Sequence, residues 1–113
     1  MPNPFYKNIT ATGDTVWCTD WRISPFNASI AVVVPAGSTC TYEVDFTLDT
    51  INPTSSDQPA VTWITSAQFP AGSTTTILSN VNQPVTGIRL HVTAINTAGG
   101  PILFKILQPD SIN

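Results

Sequence analysis

The sequence predicts an all-β domain, an antiparallel β-sandwich of jelly-roll type with seven or eight strands. Three observations carry that expectation. Several stretches alternate between apolar and polar residues, Gly- and Pro-containing segments punctuate them, and nowhere does the 3.6-residue period of an amphipathic helix appear. Composition agrees with this. Charged residues are 10% of the 113, far below the roughly 25% of an ordinary soluble domain. In their place 17 Thr, 9 Ser and 10 Pro build a polar surface of hydroxyls and turns, and β-branched Thr suits a pleated, half-buried sheet. The length is that of one domain, and no internal repeat or linker divides it. Residues 1–113 are therefore read as a single sandwich, with residues 1–6 a candidate extended N-terminal arm.

The chain opens Met1-Pro2-Asn3-Pro4-Phe5-Tyr6. Two prolines and two aromatics at a terminus suit an arm that lies against a neighbour's sheet edge or groove; the alternative is the start of the domain's own first strand. Strands are expected over residues 5–11, 15–19 and 29–34, the last stopped by Pro35-Ala36-Gly37. Residues 39–49 alternate most clearly, with Cys40, Tyr42, Val44, Phe46 and Leu48 on one side and Thr, Glu and Asp on the other. Residues 50–59 hold two prolines and almost nothing apolar. They read as a surface loop, either a binding element or a tolerated insertion. Shorter strands fit residues 61–64 and 74–78. Residues 87–93 then place Ile88, Leu90 and Val92 inward and Arg89 and His91 outward. The turn residues Asn96-Thr97-Ala98-Gly99-Gly100 lead to a last strand at residues 102–107, an expected C-terminal hairpin. The core is expected to include Tyr42, Val44, Phe46, Leu48, Ile88, Leu90 and Val92.

Charge narrows the partners. Four basic residues against seven acidic ones give a net charge of −3 with no basic run, so nucleic acid is not an expected ligand. The longest apolar run, residues 30–34, is far short of the roughly 20 residues of a spanning helix, so no membrane partner is expected. The start lacks the basic and apolar regions of a secretory signal, and cytoplasmic synthesis is expected. Cys18 and Cys40 are accordingly expected as reduced thiols, and the sequons at Asn8 and Asn27 as unmodified.

Chemistry is sparse. His91, the one histidine, falls on an outward strand face without the Ser or Cys pattern of a nucleophilic triad. Cys18, Cys40 and His91 lack the clustering of a zinc site. Glu43, Asp45 and Asp49 line one strand face; glycosidases and calcium sites use such carboxylates, but a solvent-facing row is the simpler reading. No phosphate loop or nucleophile elbow occurs. The expectation is a non-enzyme with no cofactor and no metal. Trp17 and Trp63 are expected in the core. Trp21, between Asp20 and Arg22, is the candidate exposed aromatic, suited to stack on a sugar or anchor a protein; packing beneath the next loop is its other reading.

One order of features runs through the whole chain: Asn3-Pro4-Phe5-Tyr6, Thr10-Ala11-Thr12-Gly13, Ser24-Pro25-Phe26-Asn27, Thr41-Tyr42-Glu43-Val44, Val61-Thr62-Trp63, Pro84-Val85-Thr86-Gly87-Ile88-Arg89-Leu90, then Gly99-Gly100 before Ile102, ending at Gln108. This order resembles small β-sandwich virion proteins of tailed bacteriophages. Several of these are jelly-roll capsid decoration or cement proteins, dimers or trimers at symmetry axes that clamp neighbouring major capsid subunits. The resemblance implies a structural protein of the capsid surface, assembled in the host cytoplasm, with the major capsid protein as partner and a homo-oligomeric state. The alternative is a tail or fibre module that binds host-surface glycan through Trp21 and residues 50–59. No family motif marks the contact residues. The expected partner-binding residues are Pro4, Phe5, Tyr6, Trp21, Arg89 and His91, chosen for their placement in the arm or on outward faces.

Overall fold

The computed structural model describes residues 5–19, 26–49 and 62–108. Its elements are β1 (Phe5–Ile9), β2 (Gly13–Cys18), β3 (Ala28–Val33), β4 (Thr39–Thr47), β5 (Ile64–Thr65), β6 (Ile77–Val81), β7 (Gly87–Asn96) and β8 (Ile102–Leu107). They form two four-stranded antiparallel sheets. Sheet A has the order β1-β8-β3-β6 and sheet B the order β2-β7-β4-β5. No helix occurs among the described residues, and the molecule is an all-β sandwich.

The pairings are nested: β1 with β8, β2 with β7, β3 with β6 and β4 with β5. Only β4 and β5 are neighbours both in sequence and in a sheet. The expected C-terminal hairpin is therefore absent. β7 pairs with β2 and β4, whereas β8 pairs with β1 and β3, so residues 97–101 carry the chain across from one sheet to the other. Asn-to-Gly turn chemistry serves either route. Burial decides between them, because Ile102, Phe104 and Ile106 of β8 close the core from the face opposite Ile88, Leu90 and Val92.

The core is made of inward residues of both sheets, with Ile30, Val32, Tyr42, Val44, Leu90 and Phe104 all 1% exposed or less. Trp17 is buried as expected, and Phe5 packs its ring 6.3 Å from Trp17 and 6.1 Å, edge-on, from Phe104. Phe5 and Tyr6 open β1 opposite Ile106 and Lys105. These two residues thus belong to their own domain's sheet and not to a free arm, while residues 1–4, Pro4 included, lie outside the described residues.

Three core expectations change. Leu48 is 68% exposed because β4 ends at Thr47. There the Thr86 amide and hydroxyl donate to the Thr47 carbonyl (2.9 and 3.1 Å), and the Asp49 amide donates to the Thr47 hydroxyl (3.1 Å), which turns the chain away. Phe46 is half-buried between Ile88 and Ile64. Trp63 is half-buried on the outer face of sheet B, not in the core. β6 also starts later than expected, at Ile77. Thr76 instead accepts the Val34 amide on its hydroxyl (2.9 Å), and the Thr75 carbonyl accepts the Tyr42 hydroxyl (2.6 Å). Both cysteines are free thiols, and burial pushes the Cys40 thiol up from its ordinary value.

Candidate functional site

Cross-strand register assembles the charged residues of sheet B. Asp14, His91 and Glu43 stand opposite one another along one row, and Val16, Arg89, Asp45 and Thr65 along the next. All project outward, since their strand neighbours Leu90 and Val44 point into the core. Arg89 ties the rows together. Its Nε donates to Asp45 Oδ2 at 3.0 Å and its Nη2 donates to the same oxygen, while Nη1 lies 3.7 Å from Asp14 Oδ2. The ring of Trp63 covers the guanidinium with its centroid 4.8 Å away, a cation–π arrangement. Asp14 Oδ1 also bonds His91 Nδ1, and the Thr65 hydroxyl donates to Glu43 Oε2 at 2.8 Å.

The network explains why an outward Asp45 is only 1% exposed. Arg89, Trp63 and the β5 segment roof it over. Burial pushes its carboxyl up, but the neighbouring Glu43 and Thr65 and the hydrogen bonds and charge of Arg89 outweigh that, so Asp45 titrates below its ordinary 3.8. Glu43 moves the other way. The adjoining Asp45 carboxyl holds Glu43 above the ordinary 4.5, helped by partial burial and the Asp45 charge and opposed by Thr65 and His91.

These shifts have opposite effects on stability. The Asp45 contribution is complete above pH 3.8 and is lost as pH falls through its depressed folded value. The Glu43 contribution is complete below pH 4.5 and is lost as pH rises through its raised folded value. Glu43→Gln keeps a donor toward Asp45 but cannot ionise. Its Tm, followed against pH, should stay level above pH 4.5 where the wild type declines, while the acid limb from Asp45 persists. Superimposable profiles would show that Asp45 does not raise the Glu43 carboxyl.

Asp45 is closed off behind Arg89, His91 is engaged by Asp14, and no Ser or Cys hydroxyl or thiol is bonded to His91 among the described residues. No grouping suited to a metal ion occurs among the described residues either.

The outer face of sheet A differs in kind. Tyr6 and Leu78 are 70% and 75% exposed with Lys105 and Ala31 between them in one row, Leu107 is 48% exposed, and Leu103 lies two residues from Lys105 on the same face. Together they line a shallow trough of about 470 Å³ that also takes in Asn8 and Ser29. None of the four strands of sheet A contains an acidic residue, and their cations are Lys7 and Lys105. Exposed apolar patches of this kind mark contact surfaces. The expectation of Tyr6 as a contact residue is compatible with this face, whereas Arg89 and His91 lie on the opposite face of the sandwich. Phe5 faces the core. Pro4, Trp21 and residues 50–59 lie outside the described residues. Sequence reading missed Leu78, Leu103 and Leu107. Their signal was the unbroken apolar character of residues 30–34 and of residues 102–107 apart from Lys105, which marks strands covered on both faces. No family model matches the chain, and neither the curated proteins nor the solved structures contain a significant match.

Proposed function

We propose that the chain is a non-enzymatic assembly protein that docks the outer face of sheet A on a protein shell, in the manner of a capsid decoration protein bound to major capsid subunits. The observation that carries this reading is the exposed strip of Tyr6, Leu78 and Leu107 around Lys105. Its complement is an apolar protein surface with an acidic group opposite Lys105. Size supports a multivalent target. Four strands about 4.8 Å apart and five or six residues of roughly 3.3 Å each span a face of about 20 by 20 Å. That is near half of the roughly 800 Å² per partner in a standard stable interface. One such contact is weak, whereas several copies on an array of identical sites gain avidity. The nested strand pairing supports reading the sandwich as a jelly roll, the arrangement of many viral capsid domains.

The test is co-sedimentation with empty shells assembled from the major capsid protein encoded nearest this gene. Wild type should pellet with shells. The triple variant Tyr6→Ser, Leu78→Ser, Leu107→Ser should lose at least about tenfold in affinity, since each removes apolar area worth on the order of 1 kcal/mol or more. Its Tm should change little, because all three side chains are exposed. Binding that survives the triple change, or no binding by the wild type, would overturn the proposal.

A further inference from the structure

Four strands end the two sheets, β1 and β6 in sheet A and β2 and β5 in sheet B. Edge strands invite pairing with another chain, and proteins usually blunt them with charge, brevity or a covering segment. Three of these edges are blunted. β5 has two residues, and beyond it the edge of β4 is occupied by Phe69 and Ser73, whose backbones bond Val44 and Tyr42. β1 carries Lys7 at an inward register position opposite Phe104. β2 carries Asp14, engaged by Arg89 and His91. Among the described residues β6 has none of these devices. It runs five residues, Ile77-Leu78-Ser79-Asn80-Val81, without charge, Pro or Gly, and no strand flanks its far side among the described residues.

We propose that β6 pairs antiparallel with β6 of a second copy about a two-fold axis through Ser79, joining two A sheets into one continuous eight-stranded sheet. The strand is complementary to itself in that register. Ile77 stands opposite Val81 of the second copy, Leu78 opposite Asn80, and Ser79 opposite its own equivalent. Inward residues meet inward ones, outward meet outward, and no like charges oppose. Such a contact is isologous and closes on itself, the commonest form of homodimer. Depending on which residues turn their amides to the edge, it adds about four to six backbone hydrogen bonds. It also makes the apolar strip continuous across the axis, because Leu78 lies at its β6 border. The pairing does not depend on docking to a shell.

The full chain at micromolar concentration should sediment as a dimer. Combining Leu78→Lys with Asn80→Lys sets introduced lysines against one another across the axis, and this variant should sediment as a monomer. So should the variant combining Leu78→Asp with Asn80→Asp. An equimolar mixture of the two charged variants should restore the dimer, because lysines then face aspartates across the strand pair. A second readout needs no variant: amide exchange at residues 77–81 of the wild type should slow as concentration rises. A monomeric wild type, dimers that persist in each charged variant alone, a mixture that stays monomeric, or exchange indifferent to concentration would each overturn the pairing. A dimer that ignores shells would overturn the docking proposal and leave this one standing; a monomer that binds shells would do the reverse.

Discussion

Replacing Arg89 by methionine is expected to destabilise the domain by about 3–5 kcal/mol, the usual consequence of removing one partner of a buried ion pair. Asp45 is 1% exposed, and its Oδ2 receives both guanidinium bonds. Its Oδ1 has no hydrogen-bond partner among the described residues, so none of them would compensate the stranded carboxylate. Trp63 would also lose the cation beneath its ring. Against the roughly 5–15 kcal/mol that stabilises a typical domain, this is a large share. The charge origin of the effect can be isolated. Without Arg89 the folded state favours neutral Asp45, so the deficit should shrink as pH falls through the carboxylate range. Pairing Arg89→Met with Asp45→Asn should recover much of the loss at neutral pH. Urea denaturation of the two single variants and the double variant measures all of this. A single-variant loss that is small, or that does not vary with pH, would mean that water reaches Asp45 and the roof over it is loose. On the proposed docking through sheet A, an Arg89 engaged within sheet B acts on stability and leaves shell binding per folded molecule unchanged.

Alternation revealed faces and left pairing unspecified. Cys40, Tyr42, Val44, Ile88, Leu90 and Val92 are buried where period-two reading puts them, because side-chain direction in a strand is local. Which strands lie side by side is not local. The turn at residues 96–100 has the residues of a hairpin yet crosses between sheets, and only the burial of Ile102, Phe104 and Ile106 against the other leaf distinguishes the two routes. The same limit hid the charge network. Asp14, Glu43, Asp45, Arg89 and His91 meet because β2, β7 and β4 are neighbours, an adjacency that sequence spacing does not encode. An outward carboxylate was therefore expected in solvent and is buried under Arg89 and Trp63. The apolar outer face of sheet A was legible in part. Leu103 and Leu107 interrupt the alternation of β8, and Leu78 follows Ile77 in an otherwise polar stretch; only the pairing of β1, β8, β3 and β6 collects them on one surface with Tyr6.

Changing Gly99 to alanine is expected to cost about 3 kcal/mol, the upper end of ordinary overpacking, because the new methyl meets backbone and not a side chain that can swing away. Its Cβ would stand 2.0 Å from the Ala36 carbonyl oxygen, 2.7 Å from the Gly37 carbonyl carbon and 2.8 Å from Gly37 Cα. Neither segment is free to retreat. The Ser38 amide donates to the Pro35 carbonyl (3.0 Å), closing the turn between β3 and β4, and the Ser38 hydroxyl accepts from the Gly99 amide (3.1 Å) and donates to the Gly100 carbonyl (2.6 Å). Gly100→Ala provides the contrast. That residue has φ of +121° but room for a methyl, 3.7 Å from the nearest side-chain atom of Pro35, so its cost is one of backbone conformation, about 1–3 kcal/mol, with no clash added to it. Denaturation should therefore rank Gly99→Ala below Gly100→Ala in stability. The corner also sets where β8 begins, and with it the placement of Leu103, Lys105 and Leu107 on the apolar face. On the proposed docking of sheet A, Gly99→Ala should weaken shell binding even at temperatures where the protein is folded, whereas Gly100→Ala should not. Equal stability of Gly99→Ala and wild type would show that the two loops stand further apart than this packing requires, and would remove the reason to expect any effect on binding.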